Sequence, residues 1–291
     1  MLYDINHRTT FIYSASVVTS QHLLHLAPRP CANQTTHYRA VIVEPAPTVR
    51  KEDIDYFGNP TTYLTMEEPH SRLTIVSTAR VERRAEDSPL AWTTPPWDSS
   101  PNDRTWQNDK DTLDAYQFVF DSPLTLSTQA ADYARPSFLP GRPILESAID
   151  LMGRIHHDFK YQEGVTDVQT PVDRVLAERH GVCQDFAHLQ IACLRAMGLA
   201  ARYVSGYLCT RPPEGQEKLI GADASHAWVS IWVPGQQWVD LDPTNNVLPG
   251  YEHITVAWGR DYGDVSPIAG FVVGGGQQTV EVAVDVRPVT G

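Results

Sequence analysis

His180-Gly181-Val182-Cys183-Gln184-Asp185-Phe186-Ala187-His188 is the stretch whose reading decides the fold. Gly181 lets the chain turn sharply. From Cys183 onward, Phe186, Ala187, Leu189, Ile191, Ala192, Leu194 and Met197 leave little polar face. This pattern predicts a helix over about 183–197, stopped by Gly198 and buried in the middle of its domain. Cys183 then sits at the helix N-terminus, where unpaired N–H groups and the macrodipole favour an anion. Such a setting favours the thiolate, and the same N–H groups can hold an oxyanion. A lone cysteine is more often a small buried hydrophobe, so a catalytic reading needs partners.

Helices are expected on the N-terminal side of this stretch. Pro143 suits the first turn of a helix carrying Leu145, Ala148, Ile149, Met152, Ile155 and Phe159 on one face. Thr170-Pro171-Val172-Asp173 reads as a second helix start. Strands are expected afterwards, over Ala201–Cys209, His226–Val233 and Gln237–Asp242, then near Ile254–Trp258, Gly270–Val273 and Thr279–Val286. Helices followed by an antiparallel sheet make an α+β arrangement. Gly274-Gly275-Gly276 follows a strand without the helix start of a phosphate loop, so a turn is expected there.

The strands around Pro234-Gly235-Gln236 form a hairpin. If Val233 pairs with Gln237, opposed residue numbers sum to about 470, and His226 and Asp242 project from one face as diagonal neighbours. Val229, Ile231, Val233, Val239 and Leu241 form the opposite, apolar face. An acid beside the imidazole would fix its tautomer and stabilise its charged form. Asp240 shares the parity, but Asp242 lies nearer the level of His226 and precedes Pro243. His188 falls on nearly the opposite side of the helix from Cys183. His180 lacks an evident orienting acid, and His156-His157 diverge on a helix surface and make no metal pair.

These blocks resemble the bacterial transglutaminase-like family, whose members are often described as cysteine proteases. The resemblance rests on Gly181–His188, Ala201-Arg202-Tyr203-Val204-Ser205-Gly206-Tyr207, His226-Ala227-Trp228 and Asp242-Pro243-Thr244, in that order. Leu26-Ala27-Pro28-Arg29, Asp55-Tyr56-Phe57-Gly58-Asn59 and Pro69-His70-Ser71-Arg72-Leu73 are similar to the β-rich region that precedes that core. The resemblance implies a papain-like core, with a Cys-bearing helix packed on an antiparallel sheet, and assigns Cys183, His226 and Asp242 as nucleophile, base and orienting acid. It implies acyl transfer through a thioester, resolved by water in a protease or amidase, or by an amine in a transglutaminase. A non-catalytic binding protein on the same fold is the third reading. Gln184 and Trp228 are candidates for a second oxyanion donor. No segment resembles the calcium loops of animal transglutaminases, so neither a metal nor another cofactor is expected.

The first 83 residues alternate and are punctuated by Pro28, Pro30, Pro45, Pro47 and the Phe57-Gly58-Asn59-Pro60 turn, which predicts an antiparallel β-sandwich. Residues 84–130 carry Trp92, Trp97 and Trp106 among Pro, Ser, Asp and Asn. They read as a linker packed across the surface, with helical turns near Thr112–Phe120. The catalytic domain then spans 131–291. The β-domain would either shape the cleft or cover apolar surface of the core.

The 291-residue chain has a net charge of −12 and 42% hydrophobic residues. Arg83-Arg84 and Arg50-Lys51 are too short to form a basic stripe, so no nucleic-acid partner is expected, only a peptide or protein substrate. No apolar run is long enough for a membrane span. The N-terminus lacks the features of a secretory signal, and the expected location is the cytoplasm. Cys183 and Cys193, on one helix, would stand about 15 Å apart, too far to bridge. All four cysteines, with Cys31 and Cys209, are expected as thiols.

Overall fold

The computed structural model describes residues 1–84, 88–99, 110–210, 224–235 and 237–289. The N-terminal strands are β1 (Leu2–Leu24), β2 (Gln34–Glu44), β3 (Val49–Ile54), β4 (Pro60–Met66) and β5 (His70–Arg83). Helices follow as α1 (Lys110–Tyr116), α2 (Ala130–Ala134) and α3 (Ile144–Asp158). Then come β6 (Lys160–Tyr161), α4 (Val172–Glu178), β7 (His180–Gly181) and α5 (Cys183–Ala196). The core sheet contains β8 (Ala201–Leu208), β9 (Ala224–Trp232), β10 (Trp238–Leu241) and β11 (His253–Gly259). The chain ends with α6 (Tyr262–Val265), β12 (Ile268–Gly274) and β13 (Gln278–Pro288). The architecture is α+β, as expected.

The N-terminal unit is a curled antiparallel sheet of seven strands among the described residues. Its spine is β1. Residues Leu2–Ile12 pair with β5, and Ser20–Leu24 pair with β4, with a register shift between Ile12 and Val17. The shift bends the long strand, so the sheet's two halves face one another, much as in an orthogonal sandwich. Tyr13, Val17, Leu24, Leu64, Met66, Leu73 and Ile75 fill the space between the halves.

One placement differs from expectation. The C-terminal strands do not join the core sheet; β12 and β13 both pair antiparallel with β1. Alternation identifies a strand but not its partner, and here the partner lies more than 240 residues away. The N-terminal sheet is therefore completed by the last residues of the chain, and the boundaries 1–83 and 131–291 cut across it.

The core sheet has the order β10-β9-β8-β11. Its apolar face, with Ala201, Tyr203, Ala227, Val229, Ile231, Val239 and Leu241, shares one buried cluster with Phe186, Leu189 and Cys193 of α5. That helix is buried along nearly its whole length, and Gly198, at φ +79°, ends it. Its penultimate residue, Arg195, is only 4% exposed. It donates to the Phe118, Ala201 and Arg260 carbonyls and to the Ser122 and Thr125 hydroxyls. Phe118, Ser122 and Thr125 are thereby tied to the core helix. Trp97 packs edge-on against Phe138 and donates to the Leu139 carbonyl. Trp92 is 65% exposed, contrary to the packed role expected for it; Trp106 lies outside the described residues.

Candidate active site

Val182, in extended backbone, leads into α5, and its N–H donates to Asp185 Oδ2 at 2.8 Å. Thr166 Oγ1 donates to the same oxygen at 2.7 Å. Asp185 thus takes the reaching-back role of a capping box. It also explains Gly181: a Cβ there would stand 2.8 Å from Asp185 Oδ2 and 2.9 Å from its Cβ. The turn before the cysteine is tight because a carboxylate packs into it. Cys183 is the first helical residue and is partly buried. Its N–H belongs to the set without an intrahelical partner.

The hairpin has the expected register. Trp238 opposes Trp232, Asp240 opposes Ser230 and Leu241 opposes Val229. His226 Nε2 donates to Asp242 Oδ2 at 2.8 Å. The other ring nitrogen, Nδ1, is left free of Asp242, and Cys183 lies near enough to act on the ring's pKa. Burial would lower the His226 pKa, but hydrogen bonds with Asp242 and Cys183, and the negative charge on both, raise it to about 10. At neutral pH the ring is an imidazolium.

Asp242 is fully buried. Besides His226, its Oδ2 accepts from Asn245 Nδ2 at 2.7 Å and His253 Nε2 at 3.0 Å. Its Oδ1 accepts the backbone N–H groups of Thr244 at 2.9 Å and Asn245 at 3.2 Å. Burial opposes ionisation, but these donors outweigh it and hold the carboxyl well below the usual carboxylate range. The acid is thus a fixed anion. The donor atoms of His226, Asp242 and His253 lie within 4.8 Å of one another, a spacing at which a metal could be held. Here N–H groups directed at the carboxylate account for the cluster.

Two residues of this arrangement, His253 and Asn245, lie outside the sequence expectations. His253 opens β11, two strands from His226, in a register disturbed by a bulge between Thr255 and Ala257. Only the three-dimensional sheet brings it to Asp242. Asn245 had a signal: Asp-Pro-Thr-Asn is turn chemistry, in which an aspartate accepts N–H groups two and three residues on.

The other candidates are occupied elsewhere. Gln184 Nε2 donates to the Val168 carbonyl at 3.2 Å. Trp228 is fully buried, and its Nε1 donates to Asp240 Oδ2 at 3.0 Å. Its indole N–H is therefore not available to an oxyanion, and the ring instead packs edge-on against His253. Asp240 holds the tryptophan rather than the histidine. His188 is buried and accepts the Tyr262 N–H, His180 pairs with Glu178, and His156 contacts the Thr244 carbonyl. All four cysteines are free thiols.

Comparison with known proteins assigns the chain. Residues 3–82 match the bacterial transglutaminase-like N-terminal region, and residues 132–243 match the transglutaminase-like superfamily. The chain belongs to the transglutaminase-like superfamily. The superfamily match ends one residue after Asp242 and contains Cys183 and His226. An uncharacterized protein of Mycobacterium tuberculosis is 41% identical over 99% of this chain and 93% of its own length. One from Mycobacterium leprae is 30% identical over 96% of each. A "Protein-glutamine gamma-glutamyltransferase" of Pseudomonas aeruginosa is 35% identical, over 34% of this chain and 15% of that protein. In three dimensions, the transglutaminase-like fold is shared with a crystal structure from Cytophaga hutchinsonii described as a "Putative Cysteine Protease". Its TM-score is 0.76 at 22% identity, over 100% of this chain and 92% of that one. No described helix is long and apolar enough to cross a membrane.

Proposed function

We propose that this transglutaminase-like protein is a cysteine-dependent hydrolase of peptide or amide bonds, with Cys183, His226 and Asp242 as its catalytic triad. The observation that carries the reading is the bond of His226 to the buried Asp242 carboxylate at 2.8 Å, with Cys183 at the head of α5 acting on the same ring. A cationic ring beside the sulfur would stabilise the thiolate, the form that acts as nucleophile in this chemistry.

The thiolate attacks the substrate carbonyl, and the Cys183 N–H faces the developing oxyanion. As the intermediate collapses, His226 gives its proton to the leaving amine, which departs and leaves a thioester on Cys183. The now neutral ring takes a proton from a water molecule as that water attacks the thioester. The acid product leaves, and the thiolate–imidazolium pair is restored. Asp242 keeps the ring in the Nε2–H form throughout.

The test is a peptide-library digest comparing the wild-type protein with Cys183→Ala, followed by mass spectrometry. Cleavage by the first and not the second is expected; equal cleavage, or none by either, would end the reading. Adding a primary amine addresses the other fate of the thioester, which the partial similarity to the Pseudomonas glutamyltransferase favours. Amide exchange without any hydrolysis would replace the hydrolase by a transamidase.

A further inference from the structure

On the polar face of the core sheet, a cavity of about 640 Å³ lies between the N-terminal unit and β8–β11. None of Cys183, His226 and Asp242 lines it. Its volume falls within the range of small-molecule sites. At its wall stands Arg202, 8% exposed, with its guanidinium 4.1 Å from the Trp238 ring centre and 3.7 Å from that of Trp258. Arg29 stacks against Trp258 as well, at 3.2 Å, which places the two guanidinium groups on opposite faces of that indole.

The two cations differ. Arg29 donates to the Phe57 carbonyl and the Asn59 side chain. Arg202 has no hydrogen-bond or salt-bridge partner among the described residues, and its Nε is buried with none. Asp240, on the neighbouring hydrogen-bonded strand pair, adds favourable charge but makes no ion pair with it, being engaged by Trp228. Around Arg202 the same deficit recurs. Ser230, directly opposite it in the β8–β9 register, has a buried hydroxyl without a partner, and so does the indole N–H of Trp232, which lines the cavity. An unpaired buried cation and two unpaired buried polar groups would each cost free energy if the site served packing alone. Two of these unsatisfied groups, the Arg202 cation and the Trp232 indole N–H, belong to residues that line one aromatic-walled cavity, and they define a receptor for a group that the protein does not itself supply.

We propose that this cavity is a binding site for a small organic carboxylate with an aromatic or apolar body, its carboxylate paired with Arg202 and its body against the tryptophans. A guanidinium fork matches a carboxylate, and its flat faces are already stacked, which leaves the edge as the donating surface. Burial lowers the Arg202 pKa to about 9, with Asp240 opposing the shift, so it stays cationic at neutral pH. This site stands whether or not the triad is catalytic.

Cys31 lines the same cavity and is partly exposed, so it can report occupancy in the folded protein. In Cys183→Ala, the rate of Cys31 modification by a thiol reagent would be measured with hippurate, with hippuramide and with inorganic phosphate, each at about 10 mM. A ligand of this size is expected to bind with a Kd on the order of 1 mM, so hippurate should slow the reaction roughly tenfold. Hippuramide, lacking the charge, and phosphate, lacking the ring, should leave it unchanged. Arg202→Met should abolish the protection by hippurate while Cys31 stays reactive. Equal protection by hippuramide would refute the role of Arg202. Protection by phosphate would refute the aromatic walls, and absence of protection by hippurate would refute the site. The wild-type Arg202 arms decide even if Arg202→Met does not fold.

Discussion

Replacing Asp242 with Asn keeps the shape of a fully buried side chain but exchanges one acceptor oxygen for a donor. Five N–H groups point at the two oxygens. If the new NH2 takes the Oδ2 place, it meets His226, His253 and Asn245; if it takes the Oδ1 place, it meets two backbone N–H groups. Each buried donor left unpaired costs about 1–3 kcal/mol. A loss of about 3–5 kcal/mol, the usual cost of removing one partner of a buried ion pair, is expected. This corresponds to a Tm roughly 10 °C lower. His226 loses a charge-assisted bond worth about 1.5–3 kcal/mol. At 1.36 kcal/mol per tenfold change in proton affinity, its titration should move from about 10 to about 8. The sign follows from the raised folded value. His226 stabilises the wild-type fold fully below its ordinary value of 6.5, and that contribution is lost as pH rises through about 10. In the variant it should be gone soon after pH 8. The assay is ¹⁵N NMR of the labelled imidazole between pH 5 and 11, with urea melts at pH 6 and pH 9. A wild-type ring that titrates near 6.5, or one whose midpoint is the same in both proteins, would refute the pairing.

His253→Phe removes one donor from Asp242 Oδ2 and keeps an aromatic ring against Trp228. It should lower kcat about tenfold or more with KM little changed, and should alter the pH–rate profile; an unchanged kcat and profile would make His253 a packing residue. Gly206→Ala should be severely destabilising, by about 3 kcal/mol or more, because its Cβ would stand 2.2 Å from the Ile254 carbonyl oxygen and 2.4 Å from the Trp228 ring; a melt at the wild-type temperature would show that the strands can part there. Asp185→Ala should cost about 1–2 kcal/mol through lost capping of α5 and slow Cys183 alkylation; unchanged alkylation would mean that the turn holds without it. In acid, Asp242 stabilises the fold above its ordinary value of 3.8, and that contribution is lost as pH falls through its depressed value. Acid unfolding monitored by circular dichroism should therefore extend below pH 3.8 and be blunted in Asp242→Asn.

The legible parts were the local ones. A buried helix headed by Cys183 follows from its apolar periodicity and Gly198, and the hairpin register follows from a short turn and parity. His226 and Asp242 therefore fall on one face by sequence alone. What failed or stayed silent required long-range pairing. His253 reaches Asp242 through a bulged strand, and Trp228 points its indole N–H at Asp240 rather than at the site. Trp92 looked like a packing residue by composition, but its neighbours in space decide its exposure. The greatest shift was β12 and β13, whose alternation is as clear as that of any strand but carries no address.

That address changes what the N-terminal unit can be. The edge of β11 is not left open to solvent. The Gln34 side-chain amide donates to the Thr255 carbonyl at 2.7 Å and accepts the Thr255 N–H at 3.0 Å. Asn59 does the same for Trp258, at 2.8 and 2.9 Å. Two side-chain amides thus act as a short surrogate strand along the core sheet. The Tyr207 hydroxyl bonds His7 at 2.9 Å, and Val284 and Val286 of β13 join the same buried cluster as the core helices. The strand that carries His253, and with it one of the donors to Asp242, therefore has its edge satisfied by the N-terminal unit. A sheet that merely covered apolar surface would need no such matched amide pairs; one that fixes β11 in register fixes the histidine at its first residue.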